Sequence, residues 1–175
     1  MTTQAVSIDR ARAAVVIMDY QNVIIKNYAG DPPAVLAAAN TVLAAARQAA
    51  IPVIYIVARS GAFAAGGPDA EIHPTVAPKP GERVIPKTKT GSFSTTNLDV
   101  ALRELGRDTL VLLGVSTSGC VLSTVRYGFD LGYKIFVVAD ACSDKDVEVH
   151  RVLTEKVYPR QTTVLTAAAF AQLVR

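Results

Sequence analysis

The chain has 175 residues, of which 50% are hydrophobic and 19% are charged, so intrinsic disorder is excluded. Its length suits one domain, residues 1–175. A net charge of +3, without a basic cluster or zinc-finger spacing, argues against a nucleic-acid partner. No apolar run approaches the roughly 18 residues of a membrane span, and the first residues lack a signal peptide. We therefore expect a cytoplasmic protein that acts on a small molecule and does not bind a membrane.

Buried strands and helices alternate along the sequence. Continuous apolar runs over residues 13–18 and 52–57 predict strands buried on both faces, and the Pro-initiated, Ala-rich segment 33–50 between them predicts a helix. The later predicted elements are, in order, a helix over 97–106, a strand over 109–115, a helix over 119–131, a strand over 134–139, a helix over 146–156, a strand over 162–165 and a helix over 167–174. This order predicts a three-layer α/β fold, in which helices flank a doubly wound and mostly parallel sheet. Ligands of such sheets bind at the carboxyl ends of the strands.

The segment 59–86 is rich in glycine and proline and contains no predicted helix or strand. It is too long for an ordinary connection between elements. We expect it to wall or cover a binding site.

Cys120 follows the strand predicted over 109–115 and begins the next helix. Unpaired backbone N–H groups and the helix dipole at such a junction favour a thiolate, so Cys120 is a candidate nucleophile. The alternative is a small apolar residue that only packs there. The second cysteine, Cys142, is interpreted as a free, structural thiol.

Several common motifs do not fit the sequence around Cys120. A phosphate-binding P-loop has lysine where Cys120 stands, and no Gly-x-Gly-x-x-Gly follows a predicted strand. The spacing from Cys120 to Arg126 matches cysteine phosphatases, but the residues between them are apolar and suit a buried helix face. Ser118 and Leu122 stand where the nucleophile elbow of an α/β-hydrolase has glycines.

A base for the thiol could be a histidine or a carboxylate. His73 lies in the glycine-rich segment and His150 in a predicted helix, where surface or capping roles are the simpler interpretation. Asp19 ends the first strand and so shares a sheet edge with Cys120, where its carboxylate can accept the thiol proton. Helix capping is the alternative role for Asp19.

Two lysines, Lys87 and Lys89, follow the glycine-rich segment. Either ammonium group would keep Asp19 ionised and add positive charge near a thiolate. The residues alone leave the choice between them open.

Three segments in this order resemble the isochorismatase-like cysteine hydrolases, a family with an Asp-Lys-Cys triad. They are Val-Ile-Met-Asp19-Tyr-Gln-Asn, then Lys87 with Phe93 six residues later, and then Gly-Val-Ser-Thr-Ser-Gly-Cys120-Val-Leu-Ser-Thr. The resemblance spans nearly the whole chain, and the offset to Phe93 selects Lys87 over Lys89. It implies a triad of Asp19, Lys87 and Cys120.

The resemblance also implies a cis peptide bond, most simply Val115-Ser116, that turns a backbone N–H inward. The N–H groups of Ser116 and Cys120 would then form an oxyanion hole. The implied reaction is hydrolysis of a C–N bond in a small amide, carbamoyl or cyclic amide substrate through a thioester, with Asp19 as acid and base. Members of the family commonly form homodimers or homotetramers, so we expect self-association.

No metal or cofactor is expected. Nicotinamidases of the family carry an Asp-x-His motif and a further His that bind a metal, and no His lies near Asp19. The segment around Cys120 is most similar to the subset grouped with N-carbamoylsarcosine amidase and streptothricin hydrolase.

Candidates for substrate contact are Tyr20, Gln21, Phe63 and Phe93, with core packing an equal alternative for the aromatic side chains. Two other functions stay open at this point. One is a catalytically idle binding or scaffold relative, and the other is a redox protein that cycles Cys120 through sulfenate.

Overall fold

The computed structural model describes residues 6–64 and 66–175. Within these residues, six strands form one sheet in the order β3-β2-β1-β4-β5-β6, and every pairing is parallel. The predicted α/β fold with a doubly wound sheet is therefore confirmed. The strands are β1 (Ala13–Met18), β2 (Val53–Ala58), β3 (Arg83–Lys87), β4 (Thr109–Val115), β5 (Lys134–Ser143) and β6 (Thr163–Leu165).

Helices flank the sheet and connect its strands. Helix α2 packs against α6 and β5, and α4 also contacts β5. The helices are α1 (Asn22–Tyr28), α2 (Pro32–Gln48), α3 (Leu98–Glu104), α4 (Leu122–Asp130), α5 (Val147–Val152) and α6 (Ala167–Leu173). Two π turns precede α4 and follow α5, at Thr117–Val121 and Leu153–Val157.

Local sequence accounts for the longest helix. The Asp31 side chain accepts a hydrogen bond from the N–H of Ala34 at 3.0 Å. The first turn contains proline, which fits there because the N–H groups of a first turn have no partner within the helix. The buried side chains of α2 recur every three or four residues and so share one face. They are Val35, Leu36, Ala39, Val42, Leu43 and Ala46.

The two central strands, β1 and β4, are buried along their whole length. Parallel strands covered on both faces must be apolar throughout, which explains their continuous apolar runs. The strand order reverses between β1 and β4, and a crevice at such a switch point is the usual ligand site of an open α/β sheet. Asp19 directly follows β1, and Cys120 follows β4.

Several predicted elements are corrected by the structure. The segment 59–86 is not free of regular structure: it contains three 3-10 turns and most of β3, an edge strand in which Pro86 is tolerated because one side of the strand is unpaired. The helix predicted over 119–131 begins instead as the π turn Thr117–Val121. Helix α1 was not predicted, and β5 continues past residue 139 to Ser143.

In the part of the chain that the structure describes, no helix is both long enough and apolar enough to span a membrane.

Candidate active site

A cavity of about 380 Å³ lies at the carboxyl ends of the strands and brings the three predicted triad residues together. Asp19, Lys87 and Cys120 all line it, and they come from the ends of β1, β3 and the turn after β4. Its outer wall includes Phe63 from the glycine-rich segment, as the sequence led us to expect. The remaining lining residues are Ile24, Tyr28, Ala58, Ser60, Thr88, Lys89, Thr90, Val115, Ser116 and Gly119.

Asp19 and Lys87 form a buried ion pair. The Lys87 Nζ lies 2.6 Å from Oδ2 of Asp19, and the two side chains are only 2% and 8% exposed. Nζ also donates to the carbonyl of Thr90 at 2.5 Å. The second carboxylate oxygen, Oδ1, is buried and has no hydrogen-bond partner in the described chain.

This environment suits the Asp19 carboxylate to proton transfer. Burial raises the pKa of Asp19 from its ordinary value, and the nearby Lys87 ammonium offsets part of that rise. A carboxylate with a raised pKa is a stronger base than an exposed one. Because Oδ1 is unpaired, that oxygen is available to accept a proton from a neighbouring group.

Cys120 lies in the π turn Thr117–Val121 and is only 2% exposed. The expectation that a helix terminus would favour its thiolate is not what the structure shows. Burial, followed by the negative charge of Asp19, raises the pKa of the Cys120 thiol well above its ordinary value, although Lys87 opposes the rise. The thiol is therefore protonated at neutral pH and needs a base to become a nucleophile.

Two backbone features bring Asp19 and Cys120 close to each other. Asp19 has a φ of 59°, a left-handed conformation that is uncommon outside glycine and that Asp tolerates better than most residues. Gly114 lies under the cysteine: a Cβ on Gly114 would be 3.1 Å from the Cys120 Sγ and 3.1 Å from the Cβ of Met18. Only glycine leaves room there for the sulfur above the end of β4.

The Val115-Ser116 peptide bond is cis, as the family resemblance implies. Ser116 lines the cavity next to Cys120. Its carbonyl accepts a hydrogen bond from the thiol at 3.5 Å, and its Oγ accepts one from the N–H of Gly119 at 3.1 Å. The two backbone N–H groups predicted to form an oxyanion hole therefore belong to residues on the same wall of the cavity.

The turn that carries the cysteine is held by three side chains from the far end of the chain. Asp144 Oδ2 accepts hydrogen bonds from the N–H and the hydroxyl of Ser118, at 2.8 and 2.7 Å. His150 Nδ1 is 2.8 Å from the hydroxyl of Thr117, whose carbonyl accepts from the hydroxyl of Tyr158 at 2.6 Å. These contacts fix the turn against β5 and α5.

Sequence reasoning missed this role for both Asp144 and His150. From the sequence, Asp144 has no assigned role in the site, and His150 is expected to be a surface or capping residue. The cap of α5 is Asp146, which accepts from two backbone N–H groups. Burial lowers the pKa of His150, which favours the neutral form of the ring in its contact with Thr117. His73 does act as a cap, since its ring accepts from the N–H of Thr75.

Replacement of Asp144 by alanine is expected to lower kcat by up to about a hundredfold, because a small shift of the nucleophile misaligns it with the substrate. It also removes the acceptor of the Ser118 N–H, at a cost of about 1–3 kcal/mol in the free energy of unfolding. Asp144→Asn keeps one acceptor oxygen and should recover part of both losses. Steady-state kinetics and denaturant unfolding measure the two effects.

Asp146→Ala is the matched control for this variant. It should cost about 1 kcal/mol of stability by removing the cap of α5, while kcat stays unchanged. An equal loss of kcat in both variants would show that Asp144 acts on stability alone.

Of the four predicted substrate contacts, only Phe63 lines the cavity. Tyr20 is 1% exposed and points into the core, where its hydroxyl donates to the carbonyl of Ala141. Phe93 is buried between the rings of Tyr127 and Tyr133, with centroids 5.6 and 5.7 Å away. Core packing, the alternative for these two aromatic side chains, is what the structure shows.

Gln21 also lies outside the cavity lining, because its amide is fully used by the backbone. Its Nε2 donates to the carbonyls of Ala58 and Ala70, at 3.2 and 2.7 Å, and its Oε1 accepts from the N–H of Ala58 at 2.7 Å. Gln21 therefore ties the glycine-rich segment to the end of β2. Its effect on the cavity is to hold the wall that Phe63 belongs to.

In the described residues, no group of three or more His, Cys, Asp or Glu side chains is arranged to hold a metal ion. The expectation that the protein needs no metal or cofactor stays a prediction.

Curated relatives are similar to parts of this chain. A secreted isochorismatase effector, Isc1, of Verticillium dahliae is 36% identical over 105 residues, which cover 58% of this chain and 55% of that protein. The ureidoacrylate amidohydrolase RutB of Pseudomonas syringae is 40% identical over 79 residues, covering 45% of this chain and 32% of that protein. The alignments thus span about a third to just over half the length of these relatives.

Solved structures match nearly the whole fold. An isochorismatase family protein from Burkholderia thailandensis superposes with a TM-score of 0.86 at 25% identity, covering 96% of this chain and 97% of that one. N-carbamoylsarcosine amidase from Thermoplasma acidophilum gives a TM-score of 0.77 at 27% identity, over 89% and 96% of the two chains. The isochorismatase domain model matches residues 13–169, which include all six strands and the three residues that meet in the cavity. The chain belongs to the isochorismatase family.

Proposed function

We propose that this protein is an amidohydrolase that cleaves a C–N bond of a small amide, carbamoyl or cyclic amide compound. Cys120 is the nucleophile, Asp19 is the acid and base, and Lys87 is the partner that keeps Asp19 ionised. The observation that carries the proposal is the buried contact of 2.6 Å between Asp19 and Lys87 in the same small cavity as the Cys120 thiol.

Relatives with named activities support the reaction class. The RutB proteins similar to this chain are named ureidoacrylate amidohydrolases, and a structural neighbour is named N-carbamoylsarcosine amidase. Both names describe hydrolysis of an amide-type bond, so we extend that reaction class to this chain.

The first step of the mechanism is transfer of the thiol proton to Asp19. Oδ1 of Asp19 has no hydrogen-bond partner among the described residues. The raised pKa of the thiol keeps the proton on sulfur in the free enzyme, whereas the raised pKa of Asp19 makes its carboxylate a better acceptor for that proton. The transfer moves the negative charge from the carboxylate to the sulfur without changing the total charge of the site. Lys87 stabilises that charge in both positions.

The thiolate then attacks the carbonyl carbon of the substrate and forms a tetrahedral oxyanion. The backbone N–H groups of Ser116 and Cys120 receive this oxyanion. One such donor is typically worth about 3–4 kcal/mol of barrier.

Collapse of the intermediate breaks the C–N bond as the protonated Asp19 gives its proton to the departing nitrogen. The acyl group stays on Cys120 as a thioester. A water molecule, deprotonated by Asp19, attacks the thioester, and the acid leaves as the proton returns to the sulfur. Asp19 thus acts twice as a base and twice as an acid in one turnover.

The redox function left open by the sequence has less support. Redox-sensing cysteines have a lowered pKa and an accessible sulfur. Cys120 has the opposite properties, since it is buried and its pKa is raised.

The proposal is tested by ammonia release from a panel of small primary amides and carbamoyl compounds. For cyclic amides, mass spectrometry detects the ring-opened product. We expect at least one class to be hydrolysed at neutral pH. Acid-quenched enzyme should carry the acyl group on the peptide that contains Cys120, and the peptide with Cys142 should stay unmodified. A folded protein that neither hydrolyses any class nor becomes acylated would favour the catalytically idle alternative.

The predicted homodimer or homotetramer is part of the same proposal. Light scattering of the purified protein gives the molar mass that tests it.

A further inference from the structure

The lining of the cavity contains one positive charge that no carboxylate balances. Lys87 is paired with Asp19, and Cys120 is a neutral thiol. The remaining charged side chain in the lining is that of Lys89. Lys89 forms no ion pair within 4.0 Å among the residues that the structure describes.

The backbone after β3 fixes Lys89 at the rim of this cavity. The ammonium of Lys87 binds the carbonyl of Thr90 at 2.5 Å, and the N–H of Thr88 donates to the hydroxyl of Thr95 at 3.2 Å. The segment therefore folds back over the ion pair, and Lys89 lies between two threonines that also line the cavity. Lys89 itself is exposed, so its ammonium is accessible to an incoming ligand.

Two acids in a neighbouring depression form no ion pair with Lys89 among the described residues. Asp144 and Asp146 line an adjacent depression that shares Tyr28 and Ser116 with the cavity. Asp144 already accepts two hydrogen bonds from Ser118, and Asp146 accepts two backbone N–H groups of α5. Their carboxylates stay charged, but these contacts hold them at the turn after β4 and at the start of α5, and neither lies within 4.0 Å of the Lys89 ammonium.

We propose that Lys89 binds a carboxylate of the substrate. This inference rests on the proposed function and narrows it: the substrate is a small amide or carbamoyl compound that also carries a carboxylate. An anion cancels the unpaired charge of the lining and gains a charge-assisted hydrogen bond, whereas a cationic substrate would be repelled by Lys89. A cavity of about 380 Å³ has room for a small acid of this class.

The subsite also determines which atom of the substrate meets the sulfur. Both Lys89 and Cys120 line one cavity, so a carboxylate held at the rim leaves the other end of a short substrate at the nucleophile. This interaction is the same in the ground state and in the transition state. Its loss should therefore raise KM more than it lowers kcat.

Two alkylating reagents that differ in a single group test the subsite without knowledge of the substrate. Iodoacetate carries a carboxylate, and iodoacetamide is its neutral counterpart. Because both attack the same sulfur, the ratio of their rate constants at Cys120 cancels any change in the pKa of the thiol. Peptide mass spectrometry gives both rates for wild type, Lys89→Gln, Lys89→Arg and the control Lys156→Gln, which changes an exposed lysine outside the described cavity.

We expect the iodoacetate-to-iodoacetamide ratio to fall about fivefold or more in Lys89→Gln and to stay near the wild-type value in Lys89→Arg and Lys156→Gln. High salt should reduce the wild-type ratio, since an exposed charge is screened. An equal ratio in wild type, Lys89→Gln and Lys156→Gln would overturn the carboxylate subsite, even if amides are hydrolysed.

A second measurement separates this inference from the proposed function. Ammonia release is followed from N-carbamoylglycine and from its neutral analogue (2-hydroxyethyl)urea. Both proposals are supported if the wild type has a higher kcat/KM for N-carbamoylglycine than for the neutral analogue. Lys89→Gln should lose this preference because its KM for the acid rises. If the alkylation ratio depends on Lys89 but no amide or carbamoyl compound in the panel is hydrolysed, the anion subsite stands and the amidohydrolase assignment fails.

Discussion

Replacement of Cys120 by alanine is expected to reduce amide hydrolysis about ten-thousand-fold or more, because Cys120 supplies the one thiol in the described cavity lining and the thioester cannot form without it. Ammonia release and acylation of the Cys120 peptide should both be lost. The fold should survive, since alanine removes only one buried atom, the sulfur of Cys120, and leaves the backbone of the turn unchanged. Thermal unfolding of the variant checks that point.

Cys142→Ala is the matched control because Cys142 is also buried and lies on the neighbouring strand, opposite Gly114. Burial raises the pKa of its thiol to about 12, so it is inert at neutral pH. This variant should keep the wild-type kcat and lose only a small amount of stability. A Cys120→Ala enzyme that retains turnover within tenfold of wild type would contradict the thioester mechanism.

The sequence was sufficient to find the two central strands and the residues at their ends. The bounds of β1 and β4 are those predicted, because strands buried on both faces form nearly continuous apolar runs. Asp19 and Cys120 follow from these bounds, since the carboxyl ends of parallel strands share one edge of the sheet.

Lys87 could be assigned only through the family resemblance. It ends β3, an edge strand that contains Pro86 and exposed side chains and therefore lacks the signature of a buried strand. Without that strand, nothing in the local sequence separates Lys87 from Lys89. In the structure one lysine is buried against Asp19 and the other is exposed at the rim.

The residues that line the cavity were predicted less well, because the side chains of adjacent residues point in different directions where the backbone leaves β1. Asp19 has a positive φ and faces the cavity, whereas Tyr20 turns into the core. The anchors of the nucleophile turn are equally hidden, since Asp144 lies 26 positions from Ser118 in the sequence. Such contacts depend on how β5 and α5 pack, and a single sequence does not reveal that packing.

In Asp19→Asn, we expect the enzyme to lose turnover although the Cys120 thiol ionises more readily. Turnover should fall about ten-thousand-fold, because the residue that moves the proton in every step is lost. The pKa of the thiol should move in the direction that favours the thiolate. The Asp19 charge raises that pKa in the wild type, and its removal leaves the Lys87 ammonium beside the sulfur, which lowers it.

Alkylation of Cys120 by iodoacetamide as a function of pH measures this shift. In Asp19→Asn the midpoint should lie at lower pH than in wild type, so the inactive variant reacts faster near neutral pH. Lys87→Gln removes the charge that lowers the pKa of the thiol, and its midpoint should move to higher pH while turnover is also lost. Each variant leaves one buried charge unpaired, so a cost of about 3–5 kcal/mol in stability is expected, and circular dichroism must show a folded protein.

Opposite shifts of the alkylation midpoint in Asp19→Asn and Lys87→Gln, with loss of turnover in both, would be specific to a proton-transfer pair. A misfolded or displaced cysteine would change its alkylation in the same direction in both variants. If Cys120 titrates at the wild-type pH in folded Asp19→Asn, the carboxylate does not act on the thiol. In a site built this way burial and the charge of Asp19 together keep the thiol protonated in the free enzyme. The same Asp19 carboxylate then removes the proton once a substrate carbonyl can receive the thiolate.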